Sequence, residues 1–349
     1  QGKRHRQVSI LAIATCAMLS GARSFKAIWD WTQTLPKSQL IKLGCYRGVS
    51  PSKSTIERTL HRQNADEFDR IINEWIRCIL PIESQGIAVD GKTLRGSHID
   101  NKNPIHLLSA VLHNNKVTIA QRNVDRKTNE ITGFEPLLKD IPLEGMVVTA
   151  DPMHCQVSHA EFLIKDKKAD FIFSVKDNQP TLRQAIENIF TDNEGVLAER
   201  ITKGHGRLDI HKIRVHAPKA WEIKETSFPY INQVFKLTRI SSNLKGDKTQ
   251  EETRYGVTSL NYEQAEADEV LDLMVGHWCI ENSSHFIRDD TMGEDRSRIR
   301  IGGAPQVMAT LRNTAISLIR MAGGANIAEG IRYFSWQKKS KVFRAIGIT

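Results

Sequence analysis

The chain has 349 residues, 40% hydrophobic and 26% charged, an ordinary globular balance with enough length for a main domain plus appendages. Its formal charge is +9 and its pI about 9.3, which favours a polyanionic partner such as nucleic acid. The five cysteines, Cys16, Cys45, Cys78, Cys155 and Cys279, form no CxxC pair. That argues against a disulfide framework or a zinc ribbon and for a reducing cytoplasm.

Residues 1–83 are expected to be a helical subdomain. Residues 8–19 are apolar almost all round and read as a buried helix. Lys3, Arg4 and Arg6 ahead of that run, with Ser20-Gly21-Ala22 after it, also have the outline of a secretory signal. The run is too short to span a bilayer, so no membrane association is expected. The chain starts at Gln1, so we expect a fragment of a longer protein and favour the buried helix. Ser24 can cap a helix through Trp31, and residues 44–51 form a loop. Ser52 or Ser54 opens STIERTLHRQ, and residues 66–79 make a further helix ended by Pro81. This pattern fits a DNA-binding helix-turn-helix with residues 54–62 as reader, and equally an ordinary helical subdomain.

At Gly86 the pattern changes. GIAVDGKTLRG reads as a short apolar strand ending in an acid and a glycine. Strands are expected at 105–112 and 117–123, with His113-Asn114-Asn115 as the turn. A helix at 133–139, a strand at 146–150 ending at Asp151, a helix at 159–168, a strand at 170–175 and a helix at 181–190 follow. Three hairpin-linked strands and then alternation imply an α/β fold, a mixed sheet flanked by helices. From 199 to 262 the strands HKIRVH, VFKLTRIS and ETRYGVTSL make a β-rich insertion carrying many bases. The expected division is therefore 1–83, 84–198, 199–262 and 263–349, with a late helix at 311–321 ended by Gly323-Gly324.

The densest chemistry lies in HWCIENSSHFIRDDTMGEDRSRIRIGG, from His277 to Gly303. At α-helical spacing His277, Glu281, His285 and Arg288 share one narrow face. A carboxylate flanked by bases suits a site holding a cation and an anionic substrate; a solvated salt-bridged face fits the same pattern. Asp90 and Asp151 each end a predicted strand, a rigid place for a catalytic group. Taken singly, Asp90 reads as a turn residue and Asp151 as a cap before Pro152. Three acids brought together would need a hard divalent cation to offset their repulsion.

Lys92 and Arg95 follow the first acid, and holding a scissile phosphate is preferred to plain surface charge as their use. His205 and Arg207 in GHGR either contact DNA or form a plain turn. Arg296, Arg298 and Arg300 alternate with smaller residues, and phosphate contact is their leading use. His154, Cys155 and His159 lack a distant partner pair, so packing is preferred to zinc.

VDGKTLRGS around Asp90, VVTADPMHCQ around Asp151, VKDNQPTL, KGHGRLD and HWCIENSSHF…GEDRSRIR occur in this order in bacterial insertion-sequence transposases. From about residue 11 to residue 321 the chain resembles their H-repeat-associated group of DDE transposases. The resemblance implies a ribonuclease-H-like core interrupted by a β-rich insertion, and it implies Asp90, Asp151 and Glu281 as the DDE triad. It further implies Mg²⁺, with Mn²⁺ tolerated, double-stranded DNA as substrate, and a dimer or larger assembly on paired ends. Glu130 in KTNEI matches a family position near the site and is given no role. This chain has Pro152-Met153 where the group commonly has Ala-Leu, and Ser284 and Phe286 where Leu and Trp are usual. At the spacings where the wider superfamily shows Tyr, Arg and Lys around the Glu, it has Met274, His277 and Arg288; the last two count as DNA-binding candidates. The rival readings are a nuclease of the same fold that cuts without joining, a non-catalytic DNA-binding copy, and a secreted protein.

Overall fold

A helix apolar on every side is stable only inside a core, and α1 (Gln7–Leu19) is buried from Ile13 to Leu19. It is seen in a computed structural model that describes residues 5–80, 86–98, 103–124, 130–191, 195–204, 207–224, 226–243 and 249–348. The chain divides into two units. One comprises Gln1–Glu83, Gly91–Glu130 and Ile280–Thr349; the other comprises Ser84–Asp90 and Ile131–Cys279.

In the first unit α1 is followed by α2 (Phe25–Gln33), α3 (Lys37–Lys42), α4 (Lys53–His61) and α5 (Ala65–Ile79). Ser24, Ser52 and Asn64 cap α2, α4 and α5 by accepting from the backbone N–H three residues on. The strands β2 (His106–Leu112) and β3 (Thr118–Val124) form an antiparallel hairpin in this unit, turning at residues 113–115 as expected. The chain returns in α10 (Ala304–Met321), α11 (Ile327–Trp336) and α12 (Lys339–Ala345). Ile13, Met18, Ile28 and Ile56 share one core with Val307, Leu311, Val342 and Phe343. The N-terminal helices therefore pack with the C-terminal ones instead of enclosing a core of their own. Gly323 ends α10 at φ 84°, a backbone conformation open to glycine.

The second unit holds the start of β1 (Gly86–Thr93), then β4 (Val147–Ala150), β5 (Asp170–Val175), β6 (Val196–Gly204), β7 (Arg207–His216), β8 (Gln233–Asn243) and β9 (Thr249–Thr258). With them go α6 (Glu130–Leu138), α7 (Val157–Glu161), α8 (Pro180–Ile189) and α9 (Ala267–His277). Strands β1, β4 and β5 are parallel and nearly continuous in buried residues, as parallel strands covered on both faces must be. β9 pairs antiparallel with β5, so the expected insertion continues the sheet. It also opens earlier than read, at Val196, with a strand whose apolar residues are split between faces. Among the described residues of the second unit the strands run β1-β4-β5-β9-β8-β7-β6, a mixed sheet. No described helix is long and apolar enough to cross a membrane.

One buried acid gives the first unit a pH dependence. Asp69 is 2% exposed and accepts from Gln121 Nε2 at 3.1 Å, from Gln306 Nε2 at 2.8 Å and from the Thr310 hydroxyl. Burial outweighs these donors and pushes its carboxyl up to about 7 from an ordinary 3.8. The folded state thus keeps a proton that the unfolded chain releases, and stability falls as pH rises from about 4 to about 7. The loss is on the order of 4 kcal/mol. Thermal melts of the wild type should drop across that window. Asp69→Asn should flatten the slope, and an equal slope in the variant would remove Asp69 as its source.

Candidate active site

The parallel register of β1 and β4 pairs Val89 with Ala150. Asp90, within β1, and Asp151, just past the end of β4, each follow this pair, so the two acids stand side by side on neighbouring segments, where strand spacing is about 4.8 Å. The strand expected to end at Asp90 runs on to Thr93, which removes the turn reading for that residue. Asp151 does stand at the N-cap of a short 3-10 turn, Pro152–His154, but its side chain caps nothing. The VKDNQPTL motif fastens this turn: Asn178 Nδ2 donates to Pro152 O at 2.8 Å and Gln179 Nε2 to Cys155 O at 3.0 Å.

The Asp151 carboxylate is instead engaged by His277, the last residue of α9. The ring is 5% exposed, with Nε2 3.4 Å from Asp151 Oδ1 and Nδ1 3.0 Å from Thr149 Oγ1. The Thr149 hydroxyl donates to Ile87 O at 3.2 Å, so its oxygen accepts from His277 Nδ1–H. The ring thus links Asp151 through Thr149 to the backbone of β1. The hydrogen bond from His277 works against burial and, with the charges of His277, Arg254 and His154, holds the Asp151 carboxyl below the usual range. The neighbouring Trp278 anchors the end of α9: Arg239 and Arg254 lie 5.5 and 5.7 Å from its ring centre, and His211 packs at 4.9 Å.

Glu281 is exposed and lies in the first of two π-helical turns, Glu281–His285 and Ile287–Thr291. A π turn bonds i to i+5, so the α-helical stripe expected of His277, Glu281, His285 and Arg288 is not formed. His277 is buried, and Arg288 is fully buried. The expectation that Arg288 faces DNA is corrected by its partner. Its Nε and Nη2 lie 2.9 and 2.7 Å from Glu294 Oε1, while Arg312 Nη1 lies 3.1 Å from Glu294 Oε2. Burial alone would raise the Glu294 carboxyl; the two arginine charges more than offset it and hold it low.

The rest of VDGKTLRGS packs on GEDRSRIR within the first unit. Lys92 Nζ is 2.6 Å from Asp289 Oδ2 and the side chain is buried, so its charge is spent inside the protein. Arg95 is 80% exposed, with Nη1 3.6 Å from Asp295 Oδ2. A Cβ on Gly96 would sit 2.1 Å from Ser297 O, and Arg300 Nε donates to Gly96 O at 3.3 Å, so only glycine admits this approach. Arg296, Arg298 and Arg300 are exposed while Ser297 and Ile299 are half-buried, the alternation expected of them. Arg207 is exposed at the start of β7; His205 lies outside the described residues.

Glu130 Oε1 lies 2.7 Å from His106 Nε2, both buried, with Thr93 Oγ1 2.8 Å from His106 Nδ1. A Cβ on Gly91 would come within 2.4 Å of Glu130 Oε1, so the pair sits against the residue that follows Asp90. His159 stacks on Phe134 at 4.1 Å with both ring nitrogens 3.0 Å from backbone carbonyls. Among the described residues no group of three or more His, Cys, Asp and Glu stands ready as a metal cage. Two carboxylates side by side, one held ionised, still suit Mg²⁺, which takes one or two carboxylates and fills its shell with water and phosphate oxygens. Sequence reading missed Thr149. The parity of VVTAD shows it, since positions i and i+2 of a strand share a face.

The family model described as Transposase DDE domain matches residues 81–318, and the DDE_Tnp_1-associated model matches residues 1–76. "Putative transposase YncI" of Escherichia coli O157:H7 is 31% identical over 332 residues, 92% of this chain and 84% of that protein. "H repeat-associated putative transposase YhhI" of Escherichia coli K12 is 29% identical, covering 90% of this chain and 85% of that one. Among solved structures, a piggyBac transposase synaptic complex with hairpin DNA aligns with 99% of this chain and 74% of its own at 12% identity and a TM-score of 0.46.

Proposed function

The chain belongs to the transposase DDE domain family, and from that premise we propose that it cuts DNA at transposon ends and joins the freed strand to target DNA. The proposal assigns Asp90 and Asp151 to a divalent cation, Mg²⁺ or Mn²⁺, with Glu281 as the third acid. Parallel strands that set Asp90 and Asp151 side by side, with His277 fixing one of them, carry this reading. When bound, the cation supplies activation of a water or 3′-hydroxyl and stabilises charge on the leaving oxygen of an in-line displacement. The chain's own residues then position and bind. Thr149 and His277 hold Asp151 so that it stays ionised and aimed. Arg95, Arg207, Arg296, Arg298 and Arg300 contact phosphates. No Ser or Tyr nucleophile is required. In this proposal β1 to β5 form a ribonuclease-H-like core, the residues 1–83 assist DNA binding, and the protein acts as a dimer or larger assembly in the bacterial cytoplasm.

The discriminating experiment supplies a pre-nicked end fragment, a plasmid target and Mg²⁺ to the wild-type protein. Joined product dependent on the metal is expected, and binding to the fragment should weaken steeply with salt as counterions are released. Cleavage without joining would leave a nuclease; binding without either would leave a DNA-binding protein.

A further inference from the structure

The last two helices carry a surface that the proposed reaction does not use. α11 and α12 turn Ile327, Phe334, Val342 and Phe343 into the core of the first unit. Their other side exposes Arg332, Lys338, Lys341 and Arg344, with Trp336 at 89% and Tyr333 at 45% exposure. Arg332 and Trp336 are four residues apart on α11, and Lys341 and Arg344 three apart on α12, so each pair shares a helical face. Lys341 joins the two helices: its ammonium lies 5.1 Å from the Tyr333 ring centre and donates to the Tyr333 hydroxyl at 2.9 Å.

An ordinary surface mixes charges of both signs. Residues 330–349 instead contain five bases, Arg332, Lys338, Lys339, Lys341 and Arg344, and no acid. An indole this exposed is also unusual, because Trp normally hides most of its large apolar area. Cations of one sign around a free aromatic ring suit a ligand that offers phosphates and unpaired bases together, since a base stacks on the ring while the backbone runs over the charges.

We propose that the outer face of α11 and α12 binds DNA where a duplex gives way to unpaired bases, with Trp336 stacking on a base and Arg332, Lys338, Lys341 and Arg344 on the adjoining phosphates. The inference rests on the reading of the chain as a DNA-processing enzyme and adds to it a second contact surface and the kind of DNA it takes.

The test measures anisotropy of a labelled duplex, and of the same duplex with a single-stranded 3′ extension, against the full chain over a range of salt. The wild type is expected to prefer the extended probe. Trp336→Ala should lose that preference, on the order of 10-fold, with little change on the blunt duplex, and Trp336→Phe should restore most of it. Replacing Lys338, Lys341 and Arg344 together by Gln should lower the slope of log affinity against log salt by roughly 2 to 3. All of these side chains are exposed, and circular dichroism checks that the variants fold. If the wild type binds DNA but the variants keep its preference and its slope, this surface is not a DNA site, and the proposed function stands. A wild type that binds no DNA would remove both. Variants that lose self-association while binding DNA normally would make the face a protein interface and overturn the proposal.

Discussion

Asp151→Ala is expected to reduce metal-dependent cleavage by about 10³-fold or more, because it removes an oxygen ligand and the charge that offsets the cation. The side chain is 45% exposed, so the fold should survive its loss, and binding to end fragments should stay within a few-fold. Its neighbours sharpen the test. His277→Ala leaves the carboxylate in place but frees it from the link through Thr149 to Ile87. Loss of such a supporting contact typically costs about 10–100-fold in metal affinity or activity. The His277 variant should therefore need more metal for half-maximal cleavage, and added Mg²⁺ should recover it, whereas Asp151→Ala should not respond. Equal rescue of both would mean that Asp151 does not hold the metal. Glu281→Gln should resemble Asp151→Ala; cleavage by it at the wild-type rate would refute its assignment as third acid.

The largest effect on stability is expected from Glu294→Ala. Glu294 is 3% exposed and is the anion between Arg288 and Arg312, themselves 0% and 1% exposed. Deleting it leaves two guanidinium groups buried without their counter-charge, and removal of one partner from a buried ion pair costs about 3–5 kcal/mol. Replacing all three residues by apolar side chains of similar volume should recover most of that loss, because the penalty lies in the unpaired charge and not in the packing. Denaturant unfolding would measure both. A Glu294→Ala protein within 1 kcal/mol of wild type, roughly the value of an exposed pair, would show that water reaches the arginines.

Much of this protein could be read directly from its chain. Ser24 and Ser52 announce their helices because an N-terminal hydroxyl satisfies a backbone N–H locally. The apolar runs before Asp90 and Asp151 announce buried strands, since parallel strands are covered on both faces. These are local effects, settled within a few residues of the side chain responsible, and the ordered motifs add the family. Tertiary structure decided the rest. Nothing within a few residues of Arg288 distinguishes it from Arg298, yet one is sealed against Glu294 and Arg312 and the other faces solvent. The π winding through Glu281 and His285 likewise has no signature in the sequence, so a wheel drawn at α-helical spacing misplaced Arg288. The ion pair of Arg288 and the contact of His277 with Asp151 join residues that only folding brings near, and their burial depends on which helices and strands pack around them.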